Sequence, residues 1–464
     1  MVNERRWLAL IFILYFLLGV GYSLLMPIWE APDEPAHYHL AWRLARKGEY
    51  ATEELNYEAN QPRTFYILGS YMIRALDKVD TKYSDYVMPL EYKFNIRVAE
   101  RRFDWNDDNY RFLLGLYTLR WINLLFGALA LWINWMTFRW IAPDKPTLGL
   151  SALALAGLTP QYLHIMSSVN NDALGTLAGA LLFYFPIRVI KGQSKLFAIA
   201  AIILAIALPL ATKLTVLPMS AALLAIVAGK WYFGLRQKRW LVIAGLVLVF
   251  SVGILYFFFP EAIEWTQKEI TWRLFSLRKR GVGFEYIKTI TSQIVWTYWG
   301  KVGWIAVGLA WWVVDLLTAF GFIGIALQAQ KIISSLRGGA GRVVPSDSEE
   351  RIETKPTKRR RGAVATQSPI RVANTQSWMT TLLIASFTVL AVARNGLTTG
   401  ATQGRFLFPA IGALSLLMVG GWHDVSSKRV QQKFPLIVVA LMFALNIGLW
   451  VFGIIPVYYQ PFLD

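Results

Sequence analysis

Apolar blocks close to twenty residues long constrain this chain more than any other feature. They lie at residues 7–28, 112–138, 148–167, 173–190, 240–259, 304–327, 406–422 and 435–455. About 20 apolar residues in a helix cross the hydrocarbon of a bilayer, so each block is expected to be a transmembrane helix. Residues 378–393 are shorter but are bounded by Trp378 and Arg394, and local thinning of the bilayer accommodates them. Residues 196–229 are too long for one crossing, since a helix of that length would run about 50 Å. Pro209, Lys213 and Pro218 interrupt the stretch, which predicts two short helices meeting in a tight turn around Ala211 to Thr215 and a total of eleven spans.

The charge distribution tests that number. With eleven spans and the amino terminus inside, the inner segments hold Arg5 and Arg6; Arg139 and Lys145; Arg188, Lys191 and Lys195; Lys230, Arg236, Lys238 and Arg239; the 328–377 stretch; and Lys428, Arg429 and Lys433. Every inner segment is basic, as the positive-inside rule requires. A single crossing at 196–229 would put two basic segments outside. The net charge of +18 is therefore a topology signal, with contact to anionic lipid, and does not indicate nucleic acid. Residues 335–376, containing Lys358 to Arg361 among Gly, Ser, Pro and Thr, are expected to form a disordered cytoplasmic loop. Residues 7–28 are too long for a signal-peptide core and no small-residue cleavage site follows, so they are read as the first helix.

With 55% hydrophobic and only 16% charged residues, an ordinary soluble enzyme is excluded. The chain has no cysteine and four histidines, so disulfides, thiolate metal sites and cysteine nucleophiles are excluded and chemistry falls to carboxylates and bases. The expected fold is all-α and polytopic: one integral-membrane domain over 1–464, with outer segments at 29–111 and 260–303. The first outer segment carries 15 acidic and 12 basic residues and is expected to fold as helices on the membrane surface. In the second, Ile263, Ile270, Leu274 and Leu277 recur on one helical face, which predicts an interfacial amphipathic helix whose basic face includes Arg273, Arg278, Lys279 and Arg280.

Asp33, Glu34, His37 and His39 fall within seven residues directly after the first span. Pro32 and Pro35 flank the acidic pair and disfavour an immediate helix, while the residues that follow favour one. A carboxylate near that helix start is either a reactive group or a cap. Asp172 in SSVNND has the same two readings, because Asn170 and Asn171 are also good caps. Lys213 and Arg405 sit beside apolar spans on the outer side, where a cation either meets an anion or snorkels to headgroups. Arg120 and Asp315 lie at similar depth within their helices, and an interhelical ion pair between them is expected.

APDEPAH after the first span, NYEANQPRTFYILGSY, SSVNNDAL, LATKLTVLP, TYWGKVGW and TQGRFLFP occur in that order along most of the chain. Together they resemble the GT-C membrane glycosyltransferases, nearest to bacterial relatives of protein O-mannosyltransferases and lipid A aminoarabinose transferases. QPRTFY departs from the better-known pattern, in which a second proline and a leucine precede the tyrosines. The resemblance implies a polyprenyl-phosphate-linked sugar donor and an extracytoplasmic active site in a cell membrane. It also implies a catalytic carboxylate in the first outer loop, Asp33, with Glu34 beside it as a further catalytic candidate. Lys213 and Arg405 are candidates to balance charge developing on the phosphate, and with Asp172, His37 and Tyr66 they make up the candidate substrate-binding residues. The acceptor is a protein, a lipid or an envelope glycan. Some relatives use a divalent metal and others do not, so the metal is left open. A transporter or flippase competes with this reading, but no internal repeat is visible and the ionisable groups cluster at the outer surface. A non-catalytic scaffold of envelope polysaccharide synthesis, with Asp33 as a mere cap, is the other alternative.

Overall fold

The computed structural model describes residues 3–53, 55–76, 110–234, 283–340, 369–399 and 402–459. Within them the chain is helical apart from turns and one two-stranded hairpin. Seven helices are long and apolar enough to cross a membrane, and three shorter apolar helices bring the described segments to ten. The chain is an all-α, multi-pass membrane protein. These ten helices coincide with ten of the eleven expected spans; the eleventh, at 240–259, lies outside the described residues, as do residues 260–282 with most of the expected amphipathic helix.

The first span is α1 (Glu4–Leu25), followed by the shorter helices α2 (Glu34–Lys47) and α3 (Thr64–Leu76). Then come α4 (Tyr110–Ile141), α5 (Pro146–Leu158), α6 (Pro160–Met166) and α7 (Asp172–Ile190). The block expected as one helix at 148–167 is divided because Pro160 supplies no amide hydrogen and pushes Thr159 to an extended conformation, φ −60° and ψ 126°. The expected turn near Lys213 separates α8 (Lys195–Ala211) from α9 (Leu217–Gly234), with Lys213 itself extended.

Three boundaries differ from expectation. Pro35 does not delay the helix: α2 begins at Glu34, because a proline in the first turn removes an amide hydrogen that had no intrahelical partner. After α10 (Phe284–Trp299), residues 301–308 form an antiparallel hairpin of β1 (Lys301–Val302) and β2 (Val307–Gly308), so the next span, α11 (Trp311–Ala340), starts later than residue 304. Gly303 and Ile305 both have positive φ there, which a helix does not allow. Both ends of the stretch expected as a disordered loop at 335–376 are helical: α11 continues to Ala340 and α12 (Pro369–Thr399) begins at Pro369, while 341–368 lie outside the described residues. Hydropathy locates the apolar part of a helix, but backbone hydrogen bonding carries it onward into polar sequence.

The remaining spans are α13 (Ile411–Val425), entered through a 3-10 segment Gly404–Ala410, and α14 (Lys428–Leu449). One large apolar core joins the spans, and α4 packs along α7. A second, smaller cluster that includes Trp29, Tyr38, Leu40, Phe65, Leu116 and Tyr117 fixes α2 and α3 against one end of α4. At the opposite end of the bundle Lys145 and Lys331 both bond Asp424.

Candidate active site

The loop between α1 and α2 carries the acidic pair and is held from several directions. Trp29 and Asp33 both adopt left-handed backbone conformations, with φ of 69° and 62°. Trp304 Nε1 in the hairpin donates to the Trp29 carbonyl at 2.8 Å, and Tyr458 donates to Glu30 at 3.3 Å.

From this loop the two neighbouring acids go to different partners. Glu34 is fully buried and faces Arg120 of α4, which donates Nε to Oε1 at 2.8 Å and Nη2 to Oε2 at 2.6 Å. The backbone amides of Trp29 and Val169 complete the carboxylate at 3.2 and 3.0 Å. Arg120 also donates to the carbonyls of Ser23, Met26 and Pro27, so each of its five N–H groups has an acceptor. This overturns the expected Arg120–Asp315 pair. Asp315 is exposed on α11, and equal depth along two helices does not make two side chains face each other.

Asp33 occupies the N-cap position of α2 but makes no capping bond with its side chain. Its Oδ2 accepts from Arg405 Nη2 and its Oδ1 accepts from Tyr57 at 3.2 Å. Asp172, at the start of α7, is relieved of capping by Asn170, whose Oδ1 accepts from the amides of Asp172 and Ala173 at 2.9 and 3.2 Å. Asp172 Oδ1 instead accepts from Lys213 Nζ at 2.6 Å, and its Oδ2 lies 3.5 Å from Arg405 Nη1. Lys213 donates to Asn171 Oδ1 as well, at 2.9 Å. Four residues drawn from four separate motifs therefore form one chain of charges: Asp33, Arg405, Asp172 and Lys213.

Local sequence explains the approach. Gly175 sits one turn beyond Asp172, and a Cβ there would meet Lys213 Cβ at 3.2 Å, so a small residue lets the lysine stem lie against α7. Gly404 presses on the backbone of Tyr298, and its amide donates to Thr297 Oγ1 at 2.5 Å, which fixes the backbone next to Arg405. Phe406 places its ring 5.5 Å from both Lys213 Nζ and the Arg405 guanidinium carbon. The Asp33 side chain is 18% exposed against 4% for Arg405, so Asp33 forms the rim of the site and the cations its floor.

His37 Nδ1 and Tyr66 Oη form a buried hydrogen bond of 2.8 Å in the next layer. Burial pushes the His37 pKa down to about 3, with nearby Asp33 opposing, so the imidazole is neutral. Burial raises the Asp33 carboxyl, but the surrounding charges and hydrogen bonds, the Arg405 guanidinium foremost, together hold the group below its ordinary value. Half-buried Glu58 moves the other way, up to about 7, through desolvation and then the Asp33 charge. His39 bonds Asn56 at 3.2 Å and stacks on Trp42, away from His37. Among the described residues no three His, Asp or Glu side chains are grouped to hold a metal ion. Asp33 and Asp172 are balanced by side-chain cations instead.

Sequence reasoning passed over Tyr57, Glu58 and Phe406, although they flank QPRTFY and Arg405 within motifs already singled out. Of the predicted set, Asp33, Asp172, Lys213 and Arg405 come together directly, His37 and Tyr66 pair behind them, and Glu34 turns away to Arg120.

No protein-family model matches the sequence, and no curated protein matches it. Among solved structures, the chain is similar to ArnT from Cupriavidus metallidurans bound to undecaprenyl phosphate, with 14% identity, a TM-score of 0.41, and coverage of 94% of this chain and 63% of that one. It is also similar to the apo state of the same enzyme, with 12% identity, a TM-score of 0.46, and coverage of 95% and 63%. The chain thus spans less than two thirds of the length of these structures.

Proposed function

We propose that this protein is a GT-C-type membrane glycosyltransferase that moves a sugar from a polyprenyl-phosphate-linked donor to a hydroxyl group, with inversion at the anomeric carbon. One observation carries the reading: a rim carboxylate, Asp33, adjoins two nearly buried cations at the mouth of a bundle of apolar helices. A lipid-linked phosphate needs that combination, with apolar surface for the chain, cations for the phosphate, and a base facing water.

In the proposed reaction the acceptor oxygen attacks the anomeric carbon as Asp33 takes its proton. The bond between that carbon and the phosphate oxygen breaks, and its electron pair leaves on the phosphate, where Arg405 and Lys213 balance the charge. The phosphate departs as an anion, so no acid is required. Glu34, with four hydrogen bonds accepted, is assigned a positioning role in which it holds the Asp33 loop to α4 and to the turn before α7. His37 and Tyr66, bonded to each other beside the charged cluster, are assigned to substrate binding. The basic inner segments support a cytoplasmic amino terminus and an extracytoplasmic site. The acceptor class is a protein, lipid or envelope glycan.

The test is release or transfer of sugar from a set of polyprenyl-phosphate sugars by the purified chain in nanodiscs, with Asp33→Asn as its pair. Turnover lost in Asp33→Asn supports the reading. Equal turnover in both proteins removes Asp33 as the base, and absence of turnover and donor binding across the set removes the transferase.

A further inference from the structure

The cations of this site are already engaged, and by carboxylates. We infer that Asp33 and Asp172 stand in for a phosphate: an arriving phosphate ester takes Arg405 and Lys213 from them, frees Asp33 to receive a proton, and is expelled when the carboxylates reclaim the cations. This rests on the donor class proposed above.

Hydrogen-bond accounting separates this cluster from a structural brace. Arg120 uses all five of its N–H groups, whereas Arg405 Nε has no acceptor among the described residues. Arg405 Nη1 reaches the Pro32 carbonyl at 3.4 Å and lies 3.5 Å from Asp172 Oδ2. Asp172 Oδ2 in turn accepts no hydrogen bond among the described residues, although the side chain is only 4% exposed. Lys213 directs hydrogen bonds to two acceptors, Asn171 and Asp172, out of three available donors. Buried donors of this kind cost free energy when left unmet, and a tetrahedral group with several oxygens meets more of them than one carboxylate oxygen does.

Charge makes exchange the economical arrangement. Two carboxylates and two cations in mutual contact are close to neutral. A phosphodiester donor adds one negative charge, and placing it beside both carboxylates in a low-dielectric pocket sets like charges against each other. If the phosphate displaces them, the cations stay paired. The freed carboxylates have somewhere to rest: Asp33 is at the start of α2 and Asp172 at the start of α7, where helix ends favour anions, and Tyr57 still holds Asp33 Oδ1. Asp33 Oδ2, released from Arg405, is then the oxygen that meets the acceptor hydroxyl. A carboxylate bonded to a guanidinium is a weak base, and separation restores its basicity only when donor is present. After transfer the leaving group is a phosphomonoester with a charge approaching −2, held more strongly by the cations than the donor was. Asp172 competes for the cations at once, and Asp33 joins it after passing the acceptor's proton to water; that competition limits the hold and speeds release.

The test measures binding of farnesyl phosphate, a lipid phosphate without sugar, to the full chain in nanodiscs, with farnesol as the uncharged control. Asp33→Asn keeps the size of the side chain and tolerates the left-handed backbone, and it removes the competitor. Farnesyl phosphate should bind Asp33→Asn about tenfold more tightly than wild type and dissociate more slowly, with farnesol binding unchanged. Asp172→Asn should shift the same way, and provides the reading if Asp33→Asn proves unstable. Equal or weaker binding in both variants overturns the exchange, since the carboxylates would then not compete with phosphate. If well-folded wild type and both variants fail to bind farnesyl phosphate, the donor class itself is wrong.

Discussion

Two adjacent acids at the start of α2 meet two arginines and form ion-pair clusters of opposite character. Around Glu34 and Arg120 every guanidinium N–H has an acceptor, both side chains are fully buried, and the partners come from α1, α2, α4 and the turn before α7. Around Asp33 and Arg405 one guanidinium nitrogen is unmet among the described residues, and the acid sits at the rim. A completed cluster holds elements together, and an incomplete one is prepared to change partners. The inventory of donors and acceptors, more than the presence of buried charge, separates scaffold from site.

The largest expected effect lies on the incomplete side. Asp33→Asn should lower transfer by roughly 10²- to 10⁴-fold, the usual contribution of a positioned general base, while the protein remains folded and monodisperse. Comparable loss of fold would dissolve the distinction between the clusters. On the completed side Arg120→Ala should destabilise the protein by about 3–5 kcal/mol, because it leaves Glu34 buried without its countercharge. Reversible unfolding in mixed micelles measures this, and the double change Glu34→Leu with Arg120→Met should recover most of the loss. A smaller effect is expected at Phe406: Phe406→Leu removes the ring from beside both cations and should weaken farnesyl phosphate binding by roughly 0.5–1 kcal/mol without changing the unfolding midpoint.

The subtlest expectation concerns pH. The carboxyl of Glu58 rises from its ordinary 4.5 to about 7 in the folded chain. Between those values the folded state binds more protons than the unfolded state, so stability should fall as pH rises from 4.5 to 7 and level off above. In Glu58→Gln that slope should be reduced, as read from unfolding midpoints across the interval. An unchanged slope would assign it to other groups and detach Glu58 from the Asp33 cluster.

Most of the spans were legible because hydrocarbon demands a length of apolar residues that few other structures need, and the break at Lys213 was legible because proline and charge interrupt it. The incomplete cluster was partly legible: Asp33, Asp172, Lys213 and Arg405 each stood out as charges at the ends of apolar segments. Which charge meets which was not. Asp33 is a left-handed cap outside the helix and Glu34 is the first helical residue, so the two side chains leave the backbone in different directions, Asp33 to Arg405 and Glu34 to Arg120. Composition does not encode it. The Arg120–Asp315 expectation failed for a related reason, since depth was counted along each helix while the facing direction was ignored. Asn170 shows the same limit, because three neighbouring residues were competent caps and only the folded turn selects the one that leaves Asp172 free.

The contact between Asp33 and Arg405 joins residues 372 positions apart. During synthesis the Asp33 loop is therefore delivered to the membrane surface long before the arginine that neutralises it is translated, and nearly every span must be inserted between the two events. Until then Asp33 lacks its countercharge, and the finished ion pair records that insertion ran as far as Arg405 in the right topology. A chain with one helix inverted would leave Arg405 on the wrong side of the bilayer and the loop permanently exposed. Completion of this protein is thus written in the state of a single loop.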